Sequence, residues 1–193
     1  MSTAKQTVRS KQTSEQCANE QQKSSFAQHT WKSVVCPTFH APFIFPALRV
    51  IEFHGWAKAS SRLRGKVSWE NAFNGENGEV WISNYPSHDP TPMIWYQFKE
   101  AHTLAKIGFS SRRLGNLNET PAHFLVIGST MTDNCNKWST LLEVKNAGFT
   151  EHGEFKSWLI PAERKPYHCI GLKIVSNLRG SGSPVLTNIV MWD

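Results

Sequence analysis

The run Ala72-Phe73-Asn74-Gly75-Glu76-Asn77-Gly78-Glu79-Val80-Trp81 concentrates oxygen-bearing groups in a short space. A hard divalent ion such as calcium wants roughly six to eight oxygens around it. Asn74, Glu76 and Asn77, helped by loop carbonyls from Asn71 or Gly75, supply several of them. The alternative is a metal-free turn in which Asn74 and the glycines meet a positive-φ geometry. Phe73 and Trp81 close the run on either side and predict a stiff loop on a β scaffold, where ions and ligands are held.

Catalytic chemistry finds little support. Cys169 beside His168 resembles a nucleophile and its base, but neighbours in a strand point to opposite faces. Cys135 has no evident partner, and the eight histidines show no i, i+4 or His-x-His arrangement of a zinc site. No glycine-rich phosphate loop precedes a helix. The reading is a binding module without a catalytic centre.

A chain of 193 residues can bury one substantial core and still carry a tail. Aromatics make up 11%, with eight tryptophans, and charged residues only 19%, a mixture that suits strands better than a helical bundle. The net charge of +6 divides evenly: residues 1–33 carry five Lys or Arg against two Glu, and residues 34–193 carry sixteen against thirteen. With no Lys/Arg run interleaved with aromatics, a nucleic-acid partner is not expected. Met1-Ser2-Thr3-Ala4-Lys5-Gln6 opens no apolar stretch, which predicts a cytoplasmic protein, or an extracellular one if a leader has been trimmed. Cys17, Cys36, Cys135 and Cys169 form no CxxC pair; free thiols and two disulfides both fit.

Three segments follow from composition. Residues 1–33, rich in Gln, Ser, Lys and Thr, read as a disordered or peripherally docked tail. Residues 34–47, with three prolines and three phenylalanines between positions 36 and 46, read as an extended strap. Residues 48–193 read as an all-β domain with strands over 49–53, 80–83, 93–98, 103–110, 122–129, 154–160, 167–175 and 185–192. Short helical turns are expected at 69–73 and 138–144. Ile170, Leu172 and Ile174 alternate with Cys169, Gly171 and Lys173 and define the inward face of their strand. Eight strands on long loops without crossover helices predict an antiparallel two-sheet β-sandwich, a jelly roll.

The ordered motifs resemble the discoidin family, also called the coagulation-factor type C domain, among the galactose-binding-like jelly rolls. Ala59-Ser60-Ser61 is similar to the family's opening Ala-Ser-Ser, and Ala72-Phe73-Asn74-Gly75 with Trp81 and Ser83 to its A-F-D-G…W-x-S loop. Ile94-Trp95-Tyr96-Gln97-Phe98, Ile107 to Arg112, Phe124 to Ser129 with Asp133 and Trp138, Tyr167 to Ile174, and Asn188 to Trp192 follow in family order. Two departures stand out: Asn74 replaces the loop aspartate, and no cysteine lies near residue 193 to staple the first strand to the last.

The resemblance implies a structural calcium ion in the Asn74, Glu76 and Asn77 loop and non-catalytic binding by loops at one end of the sandwich. Those loops would be 56–64, 85–90, 112–116 and 133–136. Their ligand-binding candidates are Trp56, Arg62, Arg64, Tyr85, His88, Arg112 and Arg113. An aromatic face stacks on the C–H side of a sugar ring while Arg and His fix hydroxyls, so a glycan is the expected ligand. The alternatives are a protein partner met by an intracellular interaction subunit, and an anionic lipid surface met by Leu63 and Leu114 beside their arginines.

Overall fold

A computed structural model describes residues 47–62, 68–74, 80–84, 87–161, 165–180 and 182–193, apart from the side chain of Asn74. The tail, all of the strap before Ala47, Cys17, Cys36 and Leu63 lie outside the described residues.

The described chain forms nine strands: β1 (Gly55–Ala59), β2 (Trp81–Ile82), β3 (Met93–Thr103), β4 (Lys106–Ser110), β5 (Pro121–Ser129), β6 (Ser139–Val144), β7 (Phe155–Leu159), β8 (Pro166–Asn177) and β9 (Val185–Trp192). One short helix, α1 (Asn71–Asn74), falls where a helical turn is expected and buries Ala72 and Phe73. The strands build a five-stranded sheet in the order β1-β3-β8-β5-β6 and a four-stranded sheet in the order β2-β9-β4-β7. Every strand pairing is antiparallel. The fold is the antiparallel jelly-roll sandwich expected from the sequence.

The inward rows follow from strand alternation. Ile94, Tyr96 and Phe98 of β3, Phe124 and Val126 of β5, and Ile170, Leu172 and Ile174 of β8 face Ile107 and Phe109 of β4 and Leu186, Ile189 and Met191 of β9. Phe109, Phe124 and Trp158 lock the sheets together, with ring centroids 5.0–5.2 Å apart. Trp81, fully buried, donates from its indole to the Ser61 carbonyl at 3.0 Å and so pins the segment after β1 to the core.

Five local expectations are corrected. Residues 139–144 form strand β6, not a helical turn, because Val144 and Leu142 pair with Phe124 and Val126 of β5. Residues 56–59, expected at the start of the 56–64 loop, belong instead to edge strand β1, which pairs with β3. The 49–53 strand reduces to a single bridge between Val50 and Trp192. The 103–110 strand is instead the end of β3, a tight connection at Leu104-Ala105, and β4. Cys135 does have a partner: it forms a disulfide with Cys169.

Candidate functional site

At one end of the sandwich the described connecting residues 60–62, 87–92, 111–120, 145–154 and 178–180 converge. The 111–120 loop is held in place at several points. Ser111, fully buried, donates through its backbone N–H to the Glu154 carbonyl and through its hydroxyl to the Glu151 carbonyl, at 2.8 and 2.6 Å. The Arg112 N–H donates to the Thr120 hydroxyl at 3.2 Å, and the Arg112 carbonyl accepts from Nδ1 of His152 at 2.8 Å. The Asn116 side chain caps a 3-10 turn over Leu117–Glu119.

These anchors leave one arginine constrained and the next one exposed. The Arg112 guanidinium is ion-paired to Glu119, and its side chain is only 22% exposed. Gly115, at φ +96°, lets the loop close over it; a Cβ there would lie 2.7 Å from the guanidinium carbon. Arg113 and Leu114 at the loop tip are exposed, Leu114 by 82%. Below them, the backbone N–H of Thr150, assisted by the Lys156 ammonium and the Glu151 N–H, holds the Glu154 carboxyl below the usual carboxylate range.

Beside this loop lies a cavity of about 120 Å³, lined by Asp89, Pro90 and Pro92 on one side, Ile174 to Asn177 of β8, and Gly180, Gly182 and Pro184. Asp89 accepts from the hydroxyls of Ser60 and Ser61, the pair in the Ala-Ser-Ser motif. Asn177 is 4% exposed; its Nδ2 donates to the Gly182 carbonyl at 2.9 Å, and its Oδ1 has no hydrogen-bond partner among the described residues. Leu178 donates to the Thr120 carbonyl at 3.1 Å, joining the cavity loop to the arginine loop. The end thus offers two guanidiniums, a carboxylate and a concave surface.

The sequence candidates divide accordingly. Arg112 and Arg113 sit on the converging loops, and His88 is exposed next to Asp89 of the cavity. Arg62 is at the same end, but its guanidinium already lies 4.7 Å over the Trp69 ring. Trp56 is corrected to a different place. It lies on β1 opposite Gln97, 57% exposed, because the strand turns Ala57 inward and leaves Trp56 on the outer face of the five-stranded sheet. The 133–136 loop is corrected too: it joins β5 to β6 at the opposite end. Arg64, Tyr85, Glu76, Asn77 and the Asn74 side chain lie outside the described residues. Among the described residues no group of three His, Cys, Asp or Glu gathers to hold a metal ion.

Sequence reasoning missed Asp89 and Asn177. The Gly180-Ser181-Gly182-Ser183-Pro184 stretch reads as a loop before the last strand, but nothing local indicates that it meets residues 89–92.

The fold has close counterparts among solved structures. A family 32 carbohydrate-binding module of NanJ from Clostridium perfringens, solved in complex with galactose, superposes with a TM-score of 0.56 at 14% identity, over 72% of this chain and 93% of that one. Another, from the same organism in complex with GalNAc-β-1,3-galactose, gives 0.56 at 14%, over 72% and 94%. A chitosan-binding module from a Paenibacillus sp. IK-5 chitosanase/glucanase gives 0.58 at 12%, over 73% and 96%. No protein-family model matches the sequence, and no curated protein matches it either. The chain therefore has the galactose-binding-like jelly-roll fold of family 32 carbohydrate-binding modules.

Proposed function

We propose that this chain is a non-catalytic carbohydrate-binding module that holds a hexose-type glycan at the loop end carrying Arg112. The observation that carries this reading is the fixed Arg112–Glu119 pair on a tethered loop, beside the cavity that Asp89 lines. A guanidinium held by its own carboxylate needs no reordering to donate to sugar hydroxyls, so little conformational entropy opposes binding. Galactose and GalNAc-β-1,3-galactose in the similar modules support a neutral galactose-type ligand. A structural calcium ion held by Asn74, Glu76 and Asn77 belongs to the same proposal. The Cys135–Cys169 disulfide supports the extracellular alternative for its working compartment, because such bonds persist where conditions are oxidising.

The test is binding to a broad glycan array, with calcium and again with chelator. Retention of a related set of galactose-type sugars is the expected result, weakened by chelator where the ion matters. A blank array under both conditions would overturn the reading.

A further inference from the structure

The four-stranded sheet ends in an edge whose chemistry matches itself. β7 pairs with β4 on one side, and among the described residues nothing pairs with its other side. Ile160 donates to the Ala105 carbonyl and Ser111 to the Glu154 carbonyl, so the even-numbered residues of this stretch turn their backbone groups toward β4. By alternation, Phe155, Ser157 and Leu159 turn their N–H and C=O groups outward. Their side chains share the outer face of the sheet, where Leu159 is 68% and Phe155 41% exposed. Phe155 packs edge-on against Trp192, with centroids 6.2 Å apart.

An open edge of this kind is normally guarded by an outward lysine, a proline or a bulge. β7 has none of these. Its one lysine, Lys156, is tied down by donating to the Gly148 carbonyl and lying over the Phe149 ring.

We infer that β7 is a homotypic docking edge, and that a second copy of this chain adds its own β7 antiparallel to it. The residue order singles out this occupant. A twofold axis through Ser157 sets Ser157 against Ser157 and Phe155 against Leu159 of the second copy, at both ends of the contact. Every outward N–H and C=O of Phe155, Ser157 and Leu159 then meets a complementary group, and each exposed apolar side chain meets another. An unrelated strand would satisfy the backbone but would need its own apolar pair in the same register. With five residues per strand, the contact is at the small, transient end of interfaces, so the dimer forms in a concentration-dependent way. Antiparallel pairing reverses the strand direction, so the two Arg112 ends face opposite ways. Such a dimer bridges two glycans, a consequence that rests on the carbohydrate reading; dimerisation itself does not.

The experiment combines sedimentation equilibrium with cross-linking on the full chain. In the proposed register the two Ser157 Cα atoms are about 5.5 Å apart, inside the roughly 4.4–6.8 Å that a disulfide spans. In a Cys17→Ser/Cys36→Ser background, Ser157→Cys is expected to cross-link under mild oxidation at least about tenfold faster than Lys99→Cys, another exposed strand position. Adding Leu159→Lys should weaken dimerisation about tenfold, or about 1.4 kcal/mol, and slow that cross-link while leaving the thermal melt unchanged. A monomer at every accessible concentration, or equal cross-linking of Ser157→Cys and Lys99→Cys, would overturn the proposal. So would a dimer indifferent to Leu159→Lys.

Discussion

Cys135 and Cys169 are joined by a disulfide whose Cα atoms lie 6.0 Å apart, 34 residues from each other in sequence. Cys169 belongs to the outward row of β8, so the bond fastens the 130–138 loop across the outer face of the five-stranded sheet. Gln97 adds a second tie by donating from Nε2 to the Thr132 carbonyl, and Trp138 packs edge-on against Trp95 with centroids 5.7 Å apart.

Removing that bond with Cys135→Ala/Cys169→Ala is expected to cost roughly 3–4 kcal/mol on the loop-entropy model. Urea titration of the oxidised protein against the double variant measures it. Because Trp138 rides on the tethered loop, reductant should also change tryptophan emission before the sheets unfold. Equal midpoints for the two proteins would mean that the other loop contacts suffice.

Trp81→Ala should cost about 3–5 kcal/mol, the usual range for a fully buried large aromatic. Trp81→Phe retains most of the ring but leaves the Ser61 carbonyl without its indole donor, and should fall between the wild type and the alanine variant. Chemical denaturation of all three gives the order.

For the arginine loop the expected effects are on binding. Arg112→Ala should weaken glycan affinity about tenfold to a hundredfold, the worth of a charged hydrogen-bond donor. Glu119→Gln should weaken it less, by leaving the guanidinium present but no longer held. Calorimetric titration with a sugar retained on the array measures both, and an unchanged melt confirms that only the site was altered. Full affinity in Arg112→Ala would remove this residue from the site.

Glu154 supplies a pH dependence of definite sign. Its carboxyl titrates below the ordinary value of 4.5 in the folded protein. Its contribution to stability is therefore present above the unfolded-state value and is lost as pH falls through the lowered folded one. Glu154→Gln should lower the melting temperature near neutrality, and the gap should close as the pH drops below about 4.5. A gap that widens on acidification would contradict that sign.

Most strands could be read without the structure, because their apolar residues alternate along a single segment. Ile170, Leu172 and Ile174 are the clearest case, and all three are buried. β1 and β6 could not. Gly55-Trp56-Ala57-Lys58-Ala59 has little intrinsic preference for a strand, and Trp138 with Leu141 and Leu142 has the spacing of a helical turn. Edge pairing with β3 makes one a strand, and the Phe124 and Val126 row of β5 does the same for the other.

The candidate site divides on the same principle. Arg112, Arg113 and His88 stand out by residue type and by their place between strands. Asp89 beside Asn177, Arg112 against Glu119 with His152 beneath, and Cys135 bonded to Cys169 are juxtapositions across separate loops. Side-chain chemistry and short-range alternation are properties of the chain itself, so the sandwich, its inward rows and its stock of binding groups are written in the sequence. Which loops share an end, which edge stays open and which cysteines meet depend on how strands far apart in sequence pair and stack, and only the tertiary structure settles that.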